Sequence, residues 1–160
     1  MNEGKVVGVA HTGITTSDLD LYTRFFRDVL GMPVTEPVLY DGPIMGRITG
    51  IPEAVIRVAY VDLPGHRLEL LEYLRPLQRR VSDLRPCDSG HLHLSLRVEG
   101  IDSLSRRMEE VGFELAGPIQ RVEDAGGFRV IYTYGFDGLV IELMDFTNSH
   151  AASTAFPVMP

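Results

Sequence analysis

The sequence predicts an α+β fold made of two tandem βαβββ modules that form cupped mixed sheets, and three observations carry that prediction. A strand, turn, helix and closing glycine that begin at His11 are written again from His93. Each copy then turns to strand-like runs joined by a tight turn. In both hairpins a Glu stands four residues past the turn glycine: Gly65-His-Arg-Leu-Glu69-Leu matches Gly138-Leu-Val-Ile-Glu142-Leu. Self-similarity of this kind marks a supersecondary unit used twice. It places a first module over residues 5–74, a linker over 75–89, a second module over 90–147 and a loosely held tail over 148–160.

The first helix is expected over Leu19 to Leu30. Leu19, Tyr22, Phe25, Phe26 and Val29 recur at three- and four-residue spacing. Ser17 and Asp18 can cap its start, and Gly31 suits the left-handed position at its end. The second helix is expected over Asp102 to Val111, with Leu104, Met108 and Val111 on one stripe, Asp102 and Ser103 as caps, and Gly112 as the stop. His11 and His93 are each placed in the strand before a helix.

The strands follow from period-two patterning. Val55 to Asp62 alternates and is rich in β-branched residues; Pro64-Gly65 turns the chain, and Arg67 to Tyr73 returns. Phe128 to Tyr134 and Leu139 to Phe146 repeat the hairpin around Asp137-Gly138, a strong turn signal. The strand from His91 to Val98 puts Leu92, Leu94, Leu96 and Val98 on one face and His91, His93, Ser95 and Arg97 on the other. The leucine face is expected to pack on the helices and the histidine face to look to the other side of the sheet.

The totals narrow the function. A chain of 160 residues with 44% apolar residues can bury a core, and its net charge of −7 disfavours nucleic acid. The cluster Arg75, Arg79 and Arg80 reads as a solvated linker. No apolar run approaches the roughly 20 residues that span a bilayer, and the polar start from Met1 to Lys5 has no signal-peptide core. The single cysteine, Cys87, has no partner for an intrachain disulfide and reads as incidental; this agrees with a cytoplasmic setting.

Two His and two Glu, one of each per repeat, stand out. Glu69 and Glu142 sit between aliphatic residues on strands, where an unpaired carboxylate costs several kcal/mol. Two neutral imidazoles and two carboxylates balance a divalent ion. Their all-N/O character suits one Ni, Co, Mn, Zn or Fe ion per site. Four such ligands on an octahedral ion leave two neighbouring positions for two substrate oxygens. Taken singly, each residue is better read as a satisfied histidine or a surface glutamate; the matched recurrence favours the metal set.

These residues resemble the vicinal oxygen chelate superfamily, which includes glyoxalase I, methylmalonyl-CoA epimerase, extradiol dioxygenases and bleomycin-resistance proteins. The resemblance covers residues 6–146. It rests on His11-Thr-Gly-Ile-Thr-Thr-Ser-Asp-Leu, Phe25-Phe-Arg-Asp-Val-Leu-Gly31, Gly90-His-Leu-His93-Leu-Ser-Leu-Arg-Val, Leu68-Glu69-Leu-Leu and Ile141-Glu142-Leu. It implies a glyoxalase-like fold and selects His93 over His91, so that the metal ligands are His11, Glu69, His93 and Glu142. The His, Glu, His, Glu set is similar to the glyoxalase and epimerase branches, implying a lyase or isomerase that stabilises an enolate from a small substrate with vicinal oxygens. The competing readings are an Fe(II) extradiol-type dioxygenase and a non-catalytic, antibiotic-sequestering protein.

Under the first reading Glu142 is the base, Glu69 is the alternative, and the two can serve opposite faces of the substrate. His91 is read either as a support for His93 or as a solvent-facing strand start. Tyr132 and Tyr134 share one face of their strand, as Arg57 and Ala59 do on theirs; either pair lines the pocket or packs the sheet. The glycine-rich stretch Asp41 to Ile56 is longer than a compact epimerase needs and can shape the pocket. His66 is expected on the surface, and His150 has no role. An open sheet edge implies a homodimer, with modules pairing within or between chains.

Overall fold

The computed structural model describes residues 3–150. The chain divides into two compact units, Met1–Arg80 and Val81–Pro160. The residues 151–160 of the expected tail lie outside the described residues.

The first unit contains a four-stranded mixed sheet. β1 (Thr12–Thr15) leads into α1 (Leu19–Arg24), and β2 (Val38–Asp41) into α2 (Pro43–Thr49); β3 (Val55–Leu63) and β4 (His66–Arg75) close the unit. The spatial order is β1-β4-β3-β2, with β1 parallel to β4 and the other neighbours antiparallel. Pro64-Gly65 makes the predicted turn: Leu63 pairs with His66, and Gly65 takes the left-handed φ of 74°. Asp18 caps α1 as expected, accepting from the Leu21 N–H at 2.8 Å. The expected helix to Leu30 changes winding midway. Phe25–Val29 form a π-helix, in which the Leu30 N–H reaches back to the Phe25 carbonyl.

The second unit repeats the plan. β5 (Leu94–Val98) precedes α3 (Ile101–Glu110), and the short strands β6 (Glu114–Leu115) and β7 (Gln120–Val122) both pair with β8 (Phe128–Tyr134). β8 pairs with β9 (Val140–Asp145), and β9 runs parallel to β5. The β8–β9 turn is of the expected hairpin type. Asp137 and Gly138 both have positive φ, 52° and 76°, and the Leu139 N–H bonds the Phe136 carbonyl at 2.8 Å.

In each unit the helix covers one face of the sheet. Leu19, Tyr22, Phe25 and Phe26 are buried, as are Ala59, Val61, Leu68 and Leu70 of β3 and β4. Ile101, Met108, Ile131, Thr133, Ile141 and Leu143 are buried in the second unit. A charged lock is repeated on the helix side. Arg57 on β3 holds Asp20 of α1 at 2.7 Å and Glu72 of β4 at 2.9 Å. Arg129 on β8 holds Asp102 of α3. Arg57 and Ala59 therefore face the helix, on the side of the sheet away from Tyr60 and Glu69.

Several expectations are corrected. β1 and β5 begin at Thr12 and Leu94, so His11 and His93 each stand one residue before a strand, not inside it. The leucine face starts only at Leu94: Leu92 is 83% exposed, because the chain ahead of β5 has no ladder to hold it. The cap of α3 is neither Asp102 nor Ser103 but Gly100, in the left-handed region. The long glycine-rich stretch Asp41 to Ile56 contains a helix that the sequence reading did not anticipate. Pro43 begins α2 and Gly50 ends it with φ 72°, the usual terminal signals of a short helix. His66 is half-buried, and its Nε2 is hydrogen-bonded to Thr12 Oγ1 at 2.9 Å.

Candidate functional site

The face of each sheet away from its helix carries one His–Glu pair. In the first unit β1 runs beside β4 with Gly13 in register with Glu69. That register brings His11, two residues upstream, to the same carboxylate. His11 Nε2 lies 3.2 Å from Glu69 Oε2. Tyr60, in register with Glu69 across β3, donates its hydroxyl to the other oxygen, Oε1, at 2.9 Å. The Arg67 guanidinium lies over the Tyr60 ring, 5.6 Å from its centroid. Ile56 and Val58 form the apolar floor with Ala54, and Met45, Ile51, Leu71 and Tyr73 pack against it.

The second unit repeats the arrangement. Ser95 is in register with Glu142, and His93 Nε2 lies 3.4 Å from Glu142 Oε2. Tyr132 is in register with Glu142 across β8. Its hydroxyl, however, sits 3.3 Å from His93 Nε2, with the two rings tilted at a centroid distance of 5.0 Å. In both units the carboxylate is the sheltered partner: the side chains of Glu69 and Glu142 are 19% and 16% exposed, those of His11 and His93 40% and 36%. Both phenols are held protonated. Tyr60 is raised above the usual phenol range because its hydroxyl donates to Glu69, and by burial; Tyr132 is raised by burial and by the charge of Glu142.

A cavity of about 410 Å³ adjoins the second pair. Tyr132, Tyr134, Val130 and Glu142 line it from the sheet, and Gly117 and Pro118 from the loop after β6. Tyr132 and Tyr134 are thus cavity residues. A second cavity, of about 570 Å³, lies in the first unit beside α2, with Arg47, Glu53, Asp41 and Arg75 on its rim. The glycine-rich stretch does shape a pocket, through a helix. His91 is in the turn before β5, where its Nε2 is buried without a hydrogen-bond partner among the described residues. Cys87 is exposed. No helix among the described residues is long and apolar enough to cross a membrane.

The four sequence-selected residues therefore stand as two pairs, His11 with Glu69 and His93 with Glu142. Among the described residues no group of three or more His, Cys, Asp or Glu side chains gathers that could hold a metal ion. Each unit by itself offers one imidazole nitrogen facing one carboxylate oxygen, a donor set whose chemistry fits a divalent ion of borderline to hard character. Sequence reasoning missed Tyr60. The signal was present: Tyr60 and Tyr132 occupy the same position of the repeated hairpin, each opposite its Glu.

A duplicated β-α-β unit that carries a His–Glu pair on each sheet defines a glyoxalase-like protein. The chain belongs to the Glyoxalase/Bleomycin resistance protein/Dioxygenase superfamily, whose model matches residues 8–143. It is 31% identical to a 2-epi-5-epi-valiolone epimerase from Actinomyces sp over 146 residues, 87% of this chain and 79% of that protein. Among solved structures it resembles a glyoxalase family protein from Bacillus cereus, with a TM-score of 0.80 and 26% identity over 91% of this chain and 97% of that one. The fold is shared with the fosfomycin resistance protein FosX from Listeria monocytogenes complexed with Mn(II) and a sulfate ion. There the TM-score is 0.58 and the identity 15%, over 88% and 93% of the two chains.

Proposed function

We propose that this protein is a metal-dependent isomerase, an epimerase that moves a proton on a carbon next to a carbonyl in a small substrate with vicinal oxygens. The observation that carries this reading is the repeated His–Glu pair, with Nε2 facing Oε2 at 3.2 and 3.4 Å. The likeness to an enzyme named for epimerising 2-epi-5-epi-valiolone favours isomerase over lyase. His11, Glu69, His93 and Glu142 would hold one divalent ion per site. Bound there, it would supply Lewis acidity at the substrate carbonyl.

The chain's own residues do the rest. Glu142, which lines the 410 Å³ cavity, takes the proton in this reading. Glu69 is the alternative base, and return of a proton to the opposite face inverts the centre. Tyr132 and Tyr134 supply hydroxyls and ring faces to the same cavity for the polar groups and the ring of a bound substrate. The protein is proposed to act as a cytoplasmic homodimer, without nucleic acid or membrane partners.

The test uses purified wild type and Glu142→Ala. Metal content is measured first, without added metal or chelator. Then 2-epi-5-epi-valiolone is incubated with each protein in deuterated water. About one ion per site and an epimer carrying deuterium at the inverted carbon are expected for the wild type, with both lost in the variant. Fe(II) with oxygen uptake on catechols would replace the isomerase by the dioxygenase reading. No metal, even after soaking, would overturn the enzyme and leave a sequestering protein.

A further inference from the structure

The two units repeat a tyrosine but use it differently. Tyr60 and Tyr132 hold equivalent positions, each in register with its Glu. In the first unit the two carboxylate oxygens are divided. Oε1 of Glu69 accepts the Tyr60 hydroxyl at 2.9 Å, and Oε2 faces His11 Nε2 at 3.2 Å. In the second unit the hydroxyl goes to the imidazole instead, 3.3 Å from His93 Nε2. The close contact of Glu142 is that same nitrogen, at 3.4 Å from Oε2.

The difference has a chemical consequence. A hydrogen bond to Oε1 is compatible with Oε2 serving as a ligand, because the two oxygens carry separate lone pairs. A hydrogen bond to the imidazole nitrogen is not compatible with that nitrogen serving as a ligand. The phenol of Tyr132 must then leave His93 and point to the cavity that it already lines. Tyr60 is itself held in place. Its ring lies beneath Arg67, edge-on to His11 at 6.4 Å between centroids, and packs on the Ala54, Ile56 and Val58 cluster.

We infer that Tyr60 is a positioning residue: by holding Oε1 of Glu69 it orients Oε2 of that carboxylate as a ligand of the site. The inference rests on the metal reading proposed above. Groups that orient a ligand in this way change metal affinity without touching the metal.

The experiment compares wild type, Tyr60→Phe and Tyr132→Phe in the full chain, each titrated with Mn(II) and followed by electron paramagnetic resonance. The visible spectrum of the Co(II)-loaded forms is recorded alongside, and so is the unfolding midpoint of each protein without metal. Phenylalanine keeps the ring packing and removes one oxygen. Tyr60→Phe is expected to weaken Mn(II) binding about 10–100-fold and to change the Co(II) spectrum. Tyr132→Phe should leave affinity within about threefold of wild type, in line with a hydroxyl that is not on a ligand when metal is bound. Wild-type affinity in Tyr60→Phe, with wild-type Mn(II) binding intact, would overturn this inference alone. A wild type that binds no Mn(II), Co(II) or other divalent ion would overturn the metal reading beneath it.

Discussion

Asp145, the last residue of β9, holds the start of α3 from 44 residues away: its Oδ2 accepts the backbone N–H groups of Gly100 and Ile101, both at 3.2 Å. Its other oxygen accepts the Thr147 hydroxyl and N–H at 2.6 and 2.9 Å. Gly100 supplies no side-chain cap. A carboxylate on a neighbouring strand therefore does for α3 what Asp18 does locally for α1.

Replacing Asp145 by Ala should destabilise the second unit by about 1–3 kcal/mol, since the buried Ile101 N–H and the partly buried Gly100 N–H lose their acceptor. Urea unfolding gives the value, and a change under about 0.3 kcal/mol would refute the cap. The same group sets a pH dependence. Burial raises the Asp145 carboxyl, but hydrogen bonds from Thr147, Ile101 and Gly100 outweigh it and hold it below the usual range. Asp20 is lowered as well, first by its hydrogen bond from Arg57. A carboxyl held lower when folded than when unfolded contributes stability above the unfolded value of about 3.9, and that contribution is lost as pH falls through the folded value. Stability should decline below about pH 4, and Asp145→Asn should flatten that slope.

Arg57 ties α1 to β4 through Asp20 and Glu72. A double-mutant cycle with Arg57→Met and Glu72→Gln should give a coupling of about 0.5–1 kcal/mol at low salt, shrinking at high salt. A coupling near zero in both conditions would mean that the pair only shares space.

Gly135 is a packing requirement. A Cβ there would run into the Phe113 ring, and that ring stands edge-on to Phe136 at 5.1 Å. Gly135→Ala should cost about 1–3 kcal/mol by forcing the aromatic pair apart. Phe113→Leu should relieve part of the penalty; an unchanged midpoint in the single variant would show that the ring moves freely.

If the proposed site is right, Mn(II) stabilises the folded chain by mass action. At about 100 times the dissociation constant the gain is about 2.7 kcal/mol. His93→Ala should remove most of it. A thermal midpoint that is indifferent to Mn(II) in the wild type argues against the site.

Most of the fold was legible because its signals are local. The turns at Gly65 and Gly138 and the period of two in β3, β4, β8 and β9 depend on near neighbours. The selection of His11, Glu69, His93 and Glu142 rested on their equivalent places in the repeat; that each His faces the Glu of its own unit became visible only in the structure. What escaped was set at a distance or hidden by composition. The cap on α3 comes from another strand, and no residue near Gly100 announces it. α2 was not anticipated, because Gly42, Gly46 and Gly50 obscure a helix that Pro43 and Gly50 bracket. β1 and β5 start late: Val6, Val7, Val9 and Leu92, apolar as they are, stay exposed and pair with no strand among the described residues. The role of Tyr60 depended on register, which sequence gives only after the strands are aligned.

The widened turn at Phe25–Val29 has a consequence for changes of chain length. An α-helix turns about 100° per residue, so losing one residue ordinarily swings everything beyond it to a new bearing. A π turn holds one residue more than its neighbours need. A single deletion inside Phe25–Val29 can be absorbed by reverting to ordinary winding, with Leu19 and Tyr22 still on the sheet and Gly31 still at the exit. The same deletion in Leu19–Arg24 has no such slack and would turn those anchors away from the core. This helix therefore contains its own expansion joint, and it lies on the side of the sheet opposite Glu69.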